Sequence, residues 1–300
     1  MSKSALLKSS IAKKYWMALT GLFLCTFLIG HLIGNLQLIF MAGEEGRRAF
    51  NVYAYFMAHN PAIKILSYLT YFSILFHTID GIMLTIKNKK SRPKGYAYNN
   101  AAANSSSSSR NMALLGSLIL IFIVMHMANF WYKAKIDNGS PFPLHVYELE
   151  LKQDGKKVRN DQTMYYFTHQ PTLQPIPKNR KLVYRDTTNN ITDLYIKGTN
   201  IKIAEGYKDL HSLVFAFFGQ DKSKYGFPKN EQALYFTLFY IISMLVLSFH
   251  LWHGFASAFQ SLGINHSSYN KLIKSSGKLF AVLIPLGFAI IPLMIFLNQI

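Results

Sequence analysis

Cysteine and acidic residues are both scarce in this chain of 300 residues. Cys25 is the only cysteine, and a single thiol cannot form an internal disulfide. Covalent attachment of a c-type haem needs a C-x-x-C-H segment, which the sequence lacks. Only 14 residues are acidic whereas 32 are basic, which gives a net charge of +18. Any metal centre in this chain is therefore expected to be non-covalent and not held by thiolates.

Long apolar runs are abundant. Half of the residues are hydrophobic and the mean hydropathy is positive, which is unusual for a soluble protein of this length. A membrane-spanning helix needs about 20 mostly apolar residues. Five stretches are long enough: residues 15–40, 62–86, 111–132, 232–260 and 279–299. The sequence predicts an all-α integral membrane protein in which five transmembrane helices form a bundle within the lipid bilayer.

Basic residues are concentrated in the N-terminal segment and in the second and fourth connections between these stretches. They are Lys3, Lys8, Lys13, Lys14, Lys87, Lys89, Lys90, Arg92, Lys94, Arg110, Lys271, Lys274 and Lys278. Lysine and arginine are enriched on the cytoplasmic side of membrane proteins, so the pattern predicts a cytoplasmic N-terminus. Topology and attraction to lipid headgroups account for the positive charge, and no nucleic-acid partner is expected.

A polar, tyrosine-rich segment separates the third and fourth apolar stretches. It divides the chain into transmembrane helices 1–3 in residues 1–132, an extracytoplasmic insertion in residues 133–231, and helices 4–5 in residues 232–300. Alternating runs at 144–151 and 193–196 are typical of short strands, so we expect either a small β-rich cap or a partly ordered segment. Its histidines, His145, His169 and His211, are expected to lie on surfaces or loops.

Four of the apolar stretches each contain a histidine: His31, His77, His126 and His253. An ionisable side chain at membrane depth is expensive, and it therefore indicates function. At about 1.5 Å per residue, His31 lies about 25 Å from the basic end of its helix, and His126 about 24 Å from its own. His77 is only about 15 Å from the basic end of the second stretch, and His253 also lies toward that side.

These depths predict an outer pair, His31 with His126, and an inner pair, His77 with His253. Facing imidazoles inside a helix bundle are suited to hold haem iron from both sides, so we expect two bis-histidine b haems. Small residues adjoin these histidines, namely Gly30, Gly34, Gly81 and Gly254. Glycine allows close approach of a flat macrocycle, although helix–helix packing through small residues is the simpler explanation of the glycines alone.

Two further residues are candidates at the haem sites. His250 lies three residues before His253 on the same helix face, and either histidine is a possible iron ligand. The other would then hydrogen-bond a propionate or a quinone, or simply pack, and position alone favours His253 only slightly. Arg110 is suited to a haem propionate because guanidinium matches carboxylate geometry, but anchoring at the cytoplasmic boundary explains it equally well.

Three motifs resemble one known family when they are taken together. They are GLFL…IGH in residues 21–31, FNVYA in residues 50–54 and HLWHGF…SAFQ in residues 250–260. The chain is similar in these motifs to the di-haem cytochrome b membrane subunit of succinate dehydrogenase and fumarate reductase. The resemblance covers all five apolar stretches, and the order of the histidine-bearing helices agrees. In that family the histidine of the His-Gly pair on the fourth helix is a ligand, which favours His253 over His250.

The resemblance implies a membrane anchor that passes electrons within a succinate:quinone oxidoreductase of the bacterial inner membrane. A flavoprotein subunit would interconvert succinate and fumarate, and an iron–sulfur subunit would pass electrons to the inner haem. The outer haem would exchange them with a quinone, with menaquinone expected. This chain would carry no dicarboxylate chemistry. It departs from the family at Leu251, where some members carry a glutamate, and in the length of the insertion.

Other readings of the four histidines remain open. One is a different quinone-linked di-haem cytochrome b anchor. Another is a transporter that uses intramembrane histidines as a proton relay, although such a relay needs no pairs at matched depths and five helices without a repeat are unusual for a transporter. The last is a structural anchor without haem.

Overall fold

The computed structural model describes residues 9–91, 94, 100–136, 143–148, 152–153, 156–157, 165–167, 183–184, 193–196 and 202–298. Its helices are α1 Ser10–Phe40, α2 Gly43–His59, α3 Pro61–Lys90, α4 Ala101–Asn104, α5 Ser107–Arg110, α6 Met112–His126, α7 Lys133–Lys135, α8 Leu210–Phe217, α9 Ala233–Ser261 and α10 Ser267–Phe296. A π-helical turn, Met127–Tyr132, follows α6, and a 3-10 turn covers Ser223–Tyr225. The strands are β1 Pro143–Glu148, β2 Lys152–Gln153, β3 Lys156–Lys157, β4 Tyr165–Phe167, β5 Val183–Tyr184, β6 Asp193–Ile196 and β7 Lys202–Lys208.

Five helical segments are long and apolar enough to cross a membrane, which confirms that prediction. They are Ile11–Phe40, Pro61–Lys90, Met112–Lys135, Ala233–Ser261 and Ser267–Phe296. Large apolar side chains such as Ile33, Tyr68 and Leu272 are exposed along them. Such surfaces are stable when they face hydrocarbon, so the chain has the character of a multi-pass membrane protein.

The last helix begins earlier than the sequence predicts. Its apolar run starts near residue 279, but α10 begins at Ser267. The segment before Leu279 contains lysines and serines. These residues end the apolar run, but they are compatible with a helix. Hydropathy therefore locates the part of α10 that suits the bilayer, not the whole helix.

The connection after α1 is itself a helix, α2. Glu44 and Glu45 lie in its first turn, where carboxylates favour the positive end of the helix dipole. Gly43 has a φ of 68°, which favours glycine, and a Cβ atom at Gly46 would lie 2.2 Å from the Met41 carbonyl oxygen. Two glycines thus allow the chain to turn sharply out of α1 and into α2.

The chain divides into two compact units. The first unit comprises Met1–Leu36, Pro61–Met125 and Leu238–Leu293. In it, Cys25, Leu251 and Ala281 form a buried cluster that joins α1, α9 and α10. A Cβ atom at Gly277 would lie only 2.7 Å from the Phe255 ring, so the absence of a side chain allows α9 and α10 to pack closely.

The second unit comprises Gln37–Asn60, His126–Thr237 and Met294–Ile300. Its larger sheet has the antiparallel order β4-β6-β7-β1-β5, and β2 pairs with β3. Helix α2 packs against α8, β7 and β1. Leu213, Ala216 and Phe227 form a small buried core. Much of residues 137–201 lies outside the described residues, so a β-rich cap over the whole insertion stays a prediction.

Candidate functional site

Two histidines of the first unit lie opposite each other. His77 is on α3 and His250 is on α9, and their ring centroids are 6.2 Å apart. The ring planes are inclined by 71°. The fold thus brings two imidazoles together at membrane depth from segments that are far apart in the sequence.

The hydrogen bonds of His77 assign its proton to one nitrogen. Its Nδ1 atom lies 3.1 Å from the carbonyl oxygen of Met17 and 3.3 Å from the hydroxyl oxygen of Thr20. The Thr20 hydroxyl donates its own proton to the Trp16 carbonyl oxygen at 2.7 Å. Because a carbonyl oxygen only accepts, we assign the His77 proton to Nδ1. Nε2 is therefore left with a free lone pair, as in histidines that bind metals.

Glycines lie next to both rings. A Cβ atom at Gly21 would lie 3.2 Å from Cε1 of His77, and one at Gly116 would lie 3.8 Å from Cε1 of His250. The His77 ring therefore lies almost against the backbone of α1. Within the described part of the chain, Nδ1 of His250 is buried and has no hydrogen-bond partner. Buried polar atoms are rarely left unpaired, so this nitrogen is a candidate position for a ligand.

His253, the predicted partner of His77, lies three residues after His250 and is half-buried. Residues three apart on a helix share a face, so both side chains leave α9 on the same side. The ring that the structure brings to His77 is that of His250. The ligand role of His253 stays a prediction.

His31 has a different environment from His77. Its ring stacks on Phe27 at 5.3 Å and lies 5.5 Å from Phe288. The side-chain nitrogen of Asn35 donates to the His31 carbonyl oxygen at 2.7 Å and lies 3.4 Å from Nδ1 of His31. Nδ1 thus faces a donor, which favours a proton on Nε2. For His31 to bind a metal through Nε2, the Asn35 amide would have to rearrange.

His126 is the last residue of α6 and immediately precedes the π-helical turn. Its ring packs on Phe130, within that turn, at 5.4 Å. π-helical turns inside α-helices are rare and are frequent at functional sites, because the extra residue redirects nearby side chains. His31 belongs to the first unit and His126 to the second, and their predicted pairing stays a prediction.

The predicted glycines and Arg110 have varied surroundings. A Cβ atom at Gly30 or Gly81 would meet no atom within 4 Å, whereas one at Gly254 would touch Met112 at 3.8 Å. Gly34 is buried. The Arg110 guanidinium donates to carbonyl oxygens of the preceding segment, those of Ala101 at 2.9 Å and of Ser105. Its role at a propionate stays a prediction.

The second unit contains a buried polar cluster that the sequence did not indicate. Arg47 donates through Nε to the Asp209 carboxylate at 3.0 Å, and a second guanidinium nitrogen also contacts that carboxylate. Asn51 donates to Asp209 at 3.0 Å, and its side-chain nitrogen lies 3.4 Å from Nδ1 of His145. On its other side, His145 contacts the half-exposed Glu44 through Nε2 at 2.6 Å. We call these five residues the polar cluster.

Burial of the insertion histidines contradicts the expectation that they lie on surfaces or loops. His145 is 1% exposed and His211 is 8% exposed, whereas His169 lies outside the described residues. The His211 backbone N–H donates to the side-chain oxygen of Asn51 at 3.0 Å, and its ring stacks on Phe215. Packing against α2 buries both histidines, which the local sequence does not reveal.

Burial and hydrogen bonds set the protonation states of the polar cluster and of His211. Burial alone would raise the pKa of Asp209, but hydrogen bonds from Arg47, Asn51 and Ser212 hold the pKa below its ordinary value. Burial, followed by the charge of Arg47, lowers the pKa of His145. Burial lowers the pKa of His211 to about 4. Asp209 is therefore ionised and both histidines are neutral near pH 7.

These pKa directions predict that the second unit loses stability in mild acid. The ordinary pKa of histidine is about 6.5, so below it the unfolded chain binds more protons than the native unit. The contribution of His211 is complete above about pH 6.5, is lost as the pH falls toward about 4, and amounts to at most about 3 kcal/mol.

The denaturation midpoint of the second unit should therefore decrease as the pH is lowered. It can be followed by Trp131 fluorescence, with Trp16 and Trp252 replaced by phenylalanine. His211→Phe, which retains the ring but binds no proton, should flatten the dependence, and an unaltered dependence would contradict this assignment.

Comparisons of the chain with protein-family models, with curated proteins and with solved structures give no match. Among the described residues, the His77–His250 pair and the polar cluster each bring together chemically active side chains from distant parts of the sequence.

Proposed function

We propose that this chain is a quinone-linked cytochrome b that carries electrons across a membrane through two non-covalent haems. In this proposal His77 and His250 hold the inner haem, and His31 and His126 hold the outer one. The observation that carries it is the 6.2 Å separation of the His77 and His250 rings. Because an imidazole–metal bond is about 2 Å long, a metal held between His77 and His250 would need the two ring centres roughly 6 Å apart.

A haem suits this pair better than a bare metal ion. No group of three or more histidine, cysteine, aspartate or glutamate side chains that could hold a metal ion occurs among the described residues. Among the described residues, a bare ion would find only the two imidazoles of His77 and His250, whereas a haem would bring the remaining iron ligands with it. The assignment of His250 in place of His253 is part of the proposal.

A bound haem supplies reversible one-electron transfer, and the residues of this chain tune it. His77 presents the unprotonated Nε2, while Met17 and Thr20 retain the proton on Nδ1. The missing side chain at Gly21 leaves room for the His77 ring against α1.

The wider role follows from the motif resemblance described above. We propose that the chain is the anchor and electron-transfer subunit of a succinate:quinone oxidoreductase, with a flavoprotein and an iron–sulfur subunit as partners. Its electron acceptor or donor in the membrane is a quinone, with menaquinone expected. The support is the order of the histidine-bearing helices and the three motifs, and dicarboxylate chemistry is assigned to the flavoprotein partner.

A reduced-minus-oxidised absorption spectrum tests the redox function. The purified complex should show low-spin haem bands, and extraction should return about two haems per copy of this chain. A haem-free chain would overturn the proposal and favour a transporter or a structural anchor. Succinate-dependent reduction of a soluble quinone by the same preparation tests the wider role separately, and haem without this activity would favour a different cytochrome.

We also propose that the N-terminus is cytoplasmic in a bacterial inner membrane, as the basic residues indicate. Asp221 is exposed in the second unit and offers a labelling position. In intact cells, Asp221→Cys should react with an impermeant thiol reagent, because the second unit would face outward. The unmodified chain is the control, since Cys25 is buried. Labelling that requires lysis would reverse the orientation.

A further inference from the structure

The hydroxyl of Thr20 contacts the His77 ring, and helix packing alone does not explain this contact. It is 5% exposed on α1, and its hydroxyl donates to the Trp16 carbonyl oxygen at 2.7 Å. A hydrogen bond to the preceding turn is ordinary for a threonine inside a helix. In addition, the hydroxyl oxygen lies 3.3 Å from Nδ1 of His77, which belongs to α3.

The available protons decide which of Thr20 and His77 is the hydrogen-bond donor. The Thr20 hydroxyl has carbonyl oxygens as acceptors for its single proton, that of Trp16 at 2.7 Å and that of Met17 at 3.2 Å, so we assign its oxygen as an acceptor of the His77 N–H. Met17 supplies a second acceptor, its carbonyl oxygen, at 3.1 Å from the same Nδ1. Two acceptors on one turn of α1 therefore share the His77 N–H.

We propose that Thr20 is a positioning residue that tunes the reduction potential of the inner haem through His77. This inference rests on the proposed function. An acceptor at Nδ1 increases the electron density of the imidazole and orients the ring, and such outer partners of metal ligands typically change affinity by about 10–100-fold. A more electron-rich ligand favours oxidised iron, so Thr20 holds the potential of the inner haem down.

Gly21 explains why α1 can supply both acceptors. A Cβ atom at this position would lie 3.2 Å from Cε1 of His77, closer than the ring tolerates without moving. With glycine there, the imidazole approaches the helix backbone and its Nδ1 reaches Met17 and Thr20. The close approach and the two acceptors thus form one arrangement around a single ring nitrogen.

Thr20→Val tests the inference because valine has nearly the same shape but cannot accept a hydrogen bond. In the purified complex, redox titration followed by haem absorption should show a higher midpoint potential for the inner haem only. We expect the reduced-to-oxidised ratio at a fixed potential to rise about tenfold, which is about 59 mV for a one-electron couple. Thr20→Ser, which retains the hydroxyl, should titrate like the unmodified chain.

Thr26→Val is the matched control. Thr26 lies on the same helix, donates to the Leu22 carbonyl oxygen at 3.2 Å and is exposed, so its replacement should leave both potentials unchanged.

An unchanged potential in Thr20→Val with both haems present overturns the role of Thr20 and leaves the proposed function intact. Loss of the inner haem in Thr20→Val supports the role if Thr20→Ser restores it, and overturns it if Thr20→Ser loses the haem as well. Absence of haem from the unmodified complex overturns the proposed function itself and this inference with it.

Discussion

Replacing His77 or His250 with alanine is expected to lower the haem content from about two to about one per chain. Each replacement would leave the inner iron with one protein ligand, and a non-covalent haem depends on both for retention in a low-spin state. The measurement is haem extraction together with the low-spin absorption of the purified complex. The outer haem should persist in both variants, because His31 and His126 are untouched.

His253→Ala is the matched control for this experiment. It removes a histidine one turn along the same helix, and it should leave about two haems per chain. If His253→Ala removed the inner haem while His250→Ala retained it, our choice of ligand would be wrong and the motif-based assignment would be right. Retention of both haems in His77→Ala would contradict the proposed inner haem site.

Replacing Asp209 with alanine is expected to destabilise the second unit strongly. Asp209 is 0% exposed and is the carboxylate partner of the buried Arg47. Without Asp209, the buried Arg47 would keep only the half-exposed Glu44 as an ionic partner, at 2.9 Å. Removing one member of a buried ion pair typically costs about 3–5 kcal/mol. Hydrogen exchange of backbone amides in α2 and β7 should accelerate by more than about a hundredfold wherever exchange requires opening of this unit.

Two further variants distinguish the ion pair from a general effect of lost charge. Asp221→Ala removes an exposed acid whose hydrogen bonds are local to Ser223, so exchange in α2 should not change. Arg47→Met combined with Asp209→Leu removes both charges, and it should recover much of the protection. Unaltered exchange in Asp209→Ala alone would show that the pair contributes little to holding α2.

The five membrane-spanning segments could be predicted from the sequence because hydropathy is a local property. The apolar runs mark each crossing segment without reference to the rest of the fold. The high energetic cost of an intramembrane histidine likewise singles out His77 from its local sequence alone. The choice between His250 and His253 is of another kind, since both lie on one face of α9 and only the approach of α3 distinguishes them.

The polar cluster could not be predicted for a similar reason. Arg47 and Asp209 are 162 residues apart, and neither lies in a motif. Glu44 and His145 are 101 residues apart, and each is an ordinary polar residue in its local sequence. Their chemistry arises only when the insertion folds back onto α2. Tertiary contacts supply the partners of these residues, and the local sequence does not reveal them.

The distance in sequence between Arg47 and Asp209 also has a consequence for biogenesis. At about 5–20 residues per second, synthesis of the intervening chain takes roughly 10–30 s. During that interval α2 has left the ribosome with only the half-exposed Glu44 carboxylate beside Arg47, at 2.9 Å, and the buried carboxylate of Asp209 does not yet exist. The nascent second unit must keep Arg47 hydrated until Asp209 arrives, so its folding is completed late, after the segments that precede α8 have been made.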